Sequence, residues 1–243
     1  MNYKMTVQYD GGRYSGWQRQ GNTGNTIQGK LEKALTGLLG EPVEVSGSGR
    51  TDAGVHALGQ VANFQVKVAI NCGEFLLRLN KNLPGDIAVT RLAMAAPRFH
   101  ARLSAKEKTY RYTVWNSPVA DVFARRYQYQ VEQPLDISAM KQAASRLVGT
   151  HDFMGFSSGR TKKSTMRCMK SAEIHKDGNQ IDLYFTANGF LYNMARILAG
   201  TLIEAGLGQR RPETIEAVFQ TCDRKLAGFT APPQGLCLMQ VVY

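Results

Sequence analysis

Asp52 is the residue of this 243-residue chain best suited to chemistry. It lies between Gly49 and Gly54, in a segment that reads Gly-Arg-Thr-Asp-Ala-Gly-Val-His-Ala and ends at Ala57. Glycines on both sides allow positive φ angles and let a second backbone approach closely. A carboxylate in this setting suits a nucleophile or a general base. The structural alternative is that Asp52 only caps the turn that follows it.

Two further candidates lie on predicted regular elements. Side chains alternate along the predicted strand Lys106–Asn116, so Tyr110 and Tyr112 project from the same face. Such a pair is also typical of a core or a sheet surface. Arg196 lies in the middle of an apolar helix predicted over Phe190–Ala205, where a buried arginine requires an anionic partner. The alternative for Arg196 is a solvated side chain.

Four motifs resemble those of the tRNA pseudouridine synthase A family. The Gly49–Ala57 segment is similar to the loop that carries the family's catalytic aspartate. Ala101–Tyr110 resembles the stretch that leads to its active-site tyrosine, with Leu103 where an aromatic residue is common. Asn188–Gly200 resembles the stretch whose arginine pairs with the catalytic aspartate, and Tyr9–Gln20 is similar to an amino-terminal family pattern.

The resemblance implies roles for individual residues. It makes Asp52, Tyr110 and Arg196 catalytic, and Tyr110 could stack on a flipped uracil. It implies that Arg50 fills the gap left by the flipped base. The resemblance further implies that the chain isomerises uridine to pseudouridine at positions 38 to 40 of the tRNA anticodon arm. A homodimer without cofactor or metal is part of the same expectation.

The charge of the chain points to a polyanionic partner. With 30 Lys and Arg against 19 Asp and Glu, the formal net charge is +11, and such residues gain affinity by displacing counterions from phosphates. RNA, DNA or an anionic membrane would fit. A membrane protein is not expected, because no apolar run approaches the roughly 18 residues of a spanning helix. Four scattered cysteines and the lack of a signal peptide indicate the cytoplasm.

Basic residues along the chain are candidates for an RNA-binding surface. Arg50, Thr51 and His56 lie in the Asp52 motif and are further candidates for base flipping or RNA binding. Sequence does not show which basic side chains share a face. The four histidines lack ligand spacing and are interpreted as polar or structural residues. The basic candidates are Arg13, Arg19, Arg98, Arg102, Lys108, Arg125, Arg126, Arg160, Lys162, Lys163 and Arg167.

Hydrophobic periodicity predicts a βαββαβ order in the first half of the chain. Thr26 is the expected N-cap of the first helix. The predicted elements are the strand Asn2–Tyr9, the helix Thr26–Leu39, strands near 43–46 and 59–66, a helix around 73–79 and a strand near 86–92.

The second half repeats this order with one extra helix. Asp136 or Ser138 is the expected cap of its first helix. The sequence therefore predicts an α+β protein with two ferredoxin-like, RRM-like lobes, 1–102 and 103–243, mainly antiparallel sheets and a central active-site cleft. The predicted elements are a strand over 106–116, a helix over 137–148, strands near 168–175 and 180–186, helices over 190–205 and 212–219, and a strand over 235–242.

Two other functions remain open at this point. A related enzyme acting on another RNA, such as ribosomal RNA, would keep the catalytic residues and differ in its basic surface. A non-catalytic RNA-binding protein would need only stacking aromatics and cations, and has no requirement for the set formed by Asp52, Tyr110 and Arg196. An aspartate-dependent hydrolase or phosphotransferase is disfavoured, because the metal-holding carboxylates of that chemistry are not evident.

Overall fold

The computed structural model describes residues 1–21, 23–159 and 163–243. Within these residues the chain forms five α-helices and ten β-strands, and its strand pairing is mostly antiparallel. The predicted α+β class is confirmed. The chain divides into two compact units, one formed by Met1–Lys106 with Leu238–Tyr243 and the other by Glu107–Cys237.

The first unit has the element order βαββαβ. In its sheet, β1 lies between β3 and β4, and β2 pairs with β3, all antiparallel. Apolar side chains that alternate along β1 are buried in the core of this unit. The elements are β1 (Asn2–Tyr9), α1 (Ile27–Leu39), β2 (Val45–Gly47), β3 (His56–Gln65), α2 (Cys72–Lys81) and β4 (Ile87–Ala95).

The first helix begins and ends where its sequence predicts. Thr26 accepts a hydrogen bond from the Gly29 amide through its side chain, which confirms it as the N-cap. The helix ends at Gly40, whose φ of 73° is left-handed and suits a glycine. Ile27 and Leu31 are fully buried on the face of the helix turned to the core.

The second unit contains a sheet in the order β5-β9-β8-β7, with antiparallel pairs, and β6 runs parallel to β5. Asp136 caps its first helix by accepting from the amides of Ser138 and Ala139, so of the two predicted caps Asp136 is confirmed. The elements are β5 (Glu107–Asn116), β6 (Tyr129–Val131), α3 (Ile137–Ser145), β7 (Gly149–Asp152), β8 (Met166–Asp177), β9 (Gln180–Ala187), α4 (Met194–Gly206) and α5 (Thr214–Thr221).

The structure differs from the sequence expectation in three places. The helix predicted from Phe190 begins only at Met194, because Asn193 has a left-handed φ of 59° that interrupts helical geometry. The short strands β6 and β7 were not predicted, since three or four residues are too few for a clear alternation. The last strand, β10 (Leu236–Val242), leaves the second unit at Cys237, and its remaining residues belong to the first unit next to β3.

The lobe boundary expected after residue 102 stays a prediction. Among the described residues, none of the helices is both long and apolar enough to cross a bilayer.

Candidate active site

Asp52 lies in the loop that joins β2 to β3, and its side chain is half-buried. The Val55 amide donates to the Asp52 carbonyl at 3.1 Å, which closes a turn around Ala53 and Gly54. Gly54 has a φ of 80°, as the flanking-glycine argument anticipated. The carboxylate is therefore carried by a tight, glycine-dependent turn at the beginning of a long strand.

Buried side chains fix the backbone just before Asp52. Gln60 on β3 is fully buried and donates through Nε2 to the Gly49 carbonyl at 3.1 Å. Its Oε1 accepts from the Ser48 hydroxyl at 2.6 Å. The hydroxyls of Tyr9 and Thr51 share a hydrogen bond of 2.8 Å. Because these groups are removed from water, each bond is costly to leave unmade, so the loop is held in one conformation.

A neighbouring loop approaches the Asp52 loop so closely that only glycine fits at two positions. A Cβ on Gly11 would lie 1.9 Å from the Val55 carbonyl oxygen, and one on Gly16 would lie 2.7 Å from the Thr51 carbonyl oxygen. Gly16 also has a φ of 90°. The Trp17 amide then donates to the Thr51 carbonyl at 3.0 Å. The amino-terminal motif thus supports the loop through direct backbone contacts.

His56 is buried directly after this turn. Its Nδ1 accepts from the Gly11 amide at 3.1 Å, and Asp10 Oδ1 lies 3.1 Å from the same nitrogen. These contacts tie the histidine to the supporting loop, in agreement with a structural interpretation. A role of His56 in base flipping or RNA binding stays a prediction.

The basic candidates of the first unit differ in how they are held. Arg13 donates to Asp86, with 2.6 Å between Nη2 and Oδ2, and Arg19 lies 3.2 Å from Glu32. Both guanidinium groups are therefore already paired with carboxylates. Arg50 donates from Nε to the side chain of Gln18 at 3.1 Å, and no acceptor among the described residues bonds its two terminal nitrogens.

Tyr14 joins Arg13 at Asp86, to which its hydroxyl donates at 2.5 Å. Burial by itself would raise the pKa of Asp86, but the hydrogen bonds from Tyr14 and Arg13 outweigh it and lower that pKa. Burial, followed by the bond to Asp86, raises the pKa of Tyr14. This cluster ties the loop after β1 to the residue just before β4.

In the second unit, Tyr110 and Tyr112 lie on the buried face of β5, as the alternation predicts. Their environments differ. The Tyr112 hydroxyl donates to the Pro232 carbonyl at 2.9 Å, and burial raises the pKa of this phenol. Tyr110 packs edge-on against Phe190, with 4.8 Å between ring centroids. Tyr112 is therefore a core residue.

Arg196 is half-buried near the start of α4, and its guanidinium is held in a defined orientation. Its Nε donates to the Ala231 carbonyl at 2.7 Å and its Nη1 donates to Asn193 Oδ1 at 3.0 Å. Asn193 is the residue with left-handed backbone that delays the start of the helix. Arg196 is therefore a cation held in a fixed orientation by two acceptors, and not a solvated side chain. Its pairing with Asp52 stays a prediction.

The remaining candidates are distributed over both units. Arg102 belongs to the turn that follows β4, and Lys108 to β5. Arg160 and Lys162 fall outside the described residues. Among the residues that the structure describes, no group of three or more His, Cys, Asp or Glu side chains could hold a metal ion.

Sequence reasoning missed the residues that hold the Asp52 loop. Gln60 stands beside Val61 and Ala62 on a strand that is buried over most of its length. A single amide side chain in an apolar strand is the signal that could have indicated a buried polar contact.

Comparison with known proteins agrees with these motifs. The family model described as tRNA pseudouridine synthase matches residues 5–102 and 143–243. A protein of Bacillus sp. (strain KSM-64) named tRNA pseudouridine synthase A is 48% identical over 238 residues, which cover 98% of this chain and 97% of that protein. A protein of Clostridium perfringens (strain 13 / Type A) named tRNA pseudouridine synthase A 2 is 44% identical over 100% of this chain and 99% of its own.

The chain belongs to the tRNA pseudouridine synthase family. Members of this family are isomerases. The resemblance stated from the motifs alone is confirmed.

Proposed function

We propose that this protein converts uridine to pseudouridine in tRNA, at positions 38 to 40 of the anticodon arm. In this reaction the bond between N1 of uracil and C1′ of the ribose breaks, the base turns, and C5 bonds to C1′. N1 gains a proton and C5 loses one, so substrate and product are isomers and no redox partner is required. Membership of the family and the full-length similarity to enzymes named for tRNA support the proposal.

Asp52 is the proposed nucleophile. The observation that carries this assignment is the rigid loop, in which buried hydrogen bonds from Gln60 and Tyr9 hold the residues on the amino-terminal side of the carboxylate. Such support keeps a reacting group in place without reorganisation. Addition to the pyrimidine ring, attack at the sugar and proton removal from the sugar all require an ionised carboxylate.

Tyr110 and Arg196 are the other proposed catalytic residues. Tyr110 offers a ring on which a uracil could stack, and the edge-on contact with Phe190 fixes the plane of that ring. Arg196 offers a guanidinium oriented by two acceptors, Ala231 and Asn193. A cation so fixed would favour the ionised form of a nearby carboxylate.

The proposed RNA-binding or base-flipping residues are Arg50, Thr51, His56, Arg13, Arg19, Arg102 and Lys108.

We further propose that each lobe is ferredoxin-like. The antiparallel order β4-β1-β3-β2 of the first unit supports this for that lobe. We also propose that the protein is a homodimer in the cytoplasm. Sedimentation equilibrium of the purified protein tests the dimer, because the measured mass should be twice the chain mass of 26.9 kDa.

Tritium release tests the reaction. The protein is incubated with tRNA transcripts that carry tritium at C5 of uridine, and separately with labelled ribosomal RNA. We expect release from tRNA and none from the Asp52→Asn variant, which should still bind tRNA. Asp177→Asn makes the same chemical change at an exposed position of β8 and serves as the control.

Three results would contradict the proposal. Turnover by the Asp52→Asn variant would refute the assignment of the nucleophile. Release only from ribosomal RNA would keep the chemistry and overturn the substrate. Tight tRNA binding without release from either RNA would indicate a non-catalytic binding protein.

A further inference from the structure

A cavity of about 390 Å³ lies beside the Asp52 loop, entirely within the first unit. Arg50, His100 and Arg102 contribute to its lining, together with Gln18. Asp52 is not part of the lining. The cavity is therefore separate from the position of the proposed nucleophile, although Arg50 stands only two residues before it.

Arg102 brings an unneutralised charge to this cavity. Its side chain is exposed, and no acceptor in the described part of the chain bonds its guanidinium. Arg13 and Arg19, by contrast, are each paired with a carboxylate. A guanidinium presents five N–H donors in a planar fork that matches the oxygens of a phosphate.

His100 contributes a second donor with a defined direction. Its Nδ1 accepts from the backbone amides of Arg102 at 3.1 Å and Leu103 at 3.4 Å. In a neutral imidazole the nitrogen that does not accept must carry the proton, so the proton lies on Nε2. Sequence reasoning treated this histidine as an ordinary polar or structural residue, and the structure shows that only one of its two nitrogens is used in that way.

The turn that carries His100 and Arg102 is anchored to three parts of the first unit. The Asn2 side chain donates to the Phe99 carbonyl at 2.8 Å. The Ala101 amide donates to Asn63 Oδ1 at 2.8 Å, and the Tyr243 hydroxyl donates to the Ala101 carbonyl at 2.8 Å. Donors on so firmly held a turn lose little freedom when a ligand binds.

Arg50 enters the same cavity from the Asp52 loop. Gln18 holds its Nε, and the two terminal nitrogens can donate to a ligand. The Arg50 backbone adjoins Gly49, whose carbonyl accepts from Gln60. Two independently anchored segments therefore direct three cationic or donor side chains into one space.

Two acidic residues also line the cavity. These are Glu32 and Glu44, which together with Arg19 also line an adjacent depression. Glu32 is already satisfied by hydrogen bonds from Arg19, Gln28 and the Val45 amide. Arg50, His100 and Arg102 are therefore the lining residues that favour an anion.

We propose that these three residues bind one phosphate of the RNA substrate, close to the nucleotide on which Asp52 acts. This inference rests on the proposed function for the identity of the RNA. An anionic polymer fits a chain with a net charge of +11. A phosphate held in this cavity would fix the position of the strand relative to the Asp52 loop, while the base itself stays outside the cavity.

The test is the salt dependence of tRNA binding. Removing one phosphate contact reduces the slope of log Kd against log salt by about 1 and weakens binding of all sequences equally. We expect this slope change for Arg102→Ala, with binding about tenfold weaker at low salt. Arg78→Ala removes the same charge from the exposed side of α2 and should leave both quantities unchanged.

His100→Asn separates the ligand role from the structural one. An asparagine oxygen can replace Nδ1 as acceptor for the turn, while the Nε2 donor is lost. We expect weaker binding, because the Nε2 donor is lost, and an unchanged melting temperature.

The outcomes distinguish this inference from the proposed function. The parent protein could release tritium from tRNA while the Arg102→Ala and His100→Asn variants bind tRNA as tightly as the Arg78→Ala control. In that case the proposed phosphate site is wrong and the enzyme assignment stands. If no tritium is released but Arg102→Ala still changes the slope, the site is an RNA-binding site of a protein with another function. Calorimetry with uridine monophosphate tests a free nucleotide as ligand. The inference would be overturned if uridine monophosphate binding required Arg102 while the salt slope of tRNA binding was the same in the Arg102→Ala variant and the parent.

Discussion

The side chain of Gln60 spans the two residues that open the Asp52 loop, with its Nε2 3.1 Å from the Gly49 carbonyl and its Oε1 2.6 Å from the Ser48 hydroxyl. An amide that donates to one residue and accepts from the previous one fixes the local backbone from a single rigid strand. The position of the Asp52 carboxylate thus depends on Gln60, a residue that does not itself react.

Gln60→Leu should separate loop positioning from RNA affinity. Leucine has a similar volume but leaves the Gly49 carbonyl and the Ser48 hydroxyl without their buried partner, at a cost of roughly 1–3 kcal/mol. We expect kcat to fall at least tenfold while the Kd for tRNA changes little, as measured by single-turnover tritium release and filter binding. Equal losses in kcat and affinity would argue that Gln60 acts on RNA binding instead.

Tyr9→Phe removes the hydroxyl that shares a hydrogen bond with Thr51 and accepts a longer one, 3.5 Å, from Gln60 Nε2. The loss of these buried hydrogen bonds should lower the free energy of unfolding by about 1–2 kcal/mol and reduce kcat by a smaller factor than Gln60→Leu does. Tyr184→Phe makes the same change on β9 of the second unit and should leave kcat unchanged. Urea titration and single-turnover kinetics measure the two effects.

Gly11→Ala and Gly37→Ala should have opposite effects on stability. A Cβ at Gly11 would overlap the Val55 carbonyl, so the two loops must separate, and we expect a loss of roughly 1–3 kcal/mol. Gly37 lies on the exposed side of α1 with nothing within 4 Å of an added Cβ. Alanine there should stabilise by about 0.5–1 kcal/mol. Thermal unfolding checks both, and a neutral Gly11→Ala would show that the contact is not tight in solution.

Because of Asp86, the free energy of unfolding should depend on pH in the acid range. Its folded-state pKa is lowered, chiefly by hydrogen bonds from Tyr14 and Arg13 against the opposing effect of burial. The stabilisation is therefore complete above the unfolded pKa of about 3.9 and is lost as the pH falls through the folded pKa. Asp86→Asn should lower the free energy of unfolding at pH 7, and the difference from the parent should shrink at pH 3.

Arg196→Lys should reduce turnover far more than RNA binding. A lysine keeps the charge but cannot bond the Ala231 carbonyl and the Asn193 side chain in the same planar geometry. We expect at least a hundredfold lower kcat, measured by tritium release. Arg211→Lys, at an exposed position before α5, is the control. Near-parental activity of the Arg196→Lys variant would show that charge alone suffices.

The regular elements of the first unit followed from periodicity because β1 and α1 each bury one clear face. The helix α4 was predicted too early, since Phe190 and Leu191 continue its apolar pattern while the conformation of Asn193 depends on tertiary contacts. The Asp52 loop was recognisable from its glycines. Its support by Gln60 was not, because the bonds to Ser48 and Gly49 depend on how β3 packs against the loop. The orientation of His100 was not, because it depends on the conformation of a turn that Asn63 and Tyr243 anchor.

The last strand of the chain has a consequence for biosynthesis. Residues 238–243 belong to the unit that begins at Met1, and the Tyr243 hydroxyl reaches the Ala101 carbonyl across 142 positions of sequence. Contacts so distant along the chain form late and slow folding. The part of this sheet next to β3 is therefore completed only after the whole of the second unit has been synthesised.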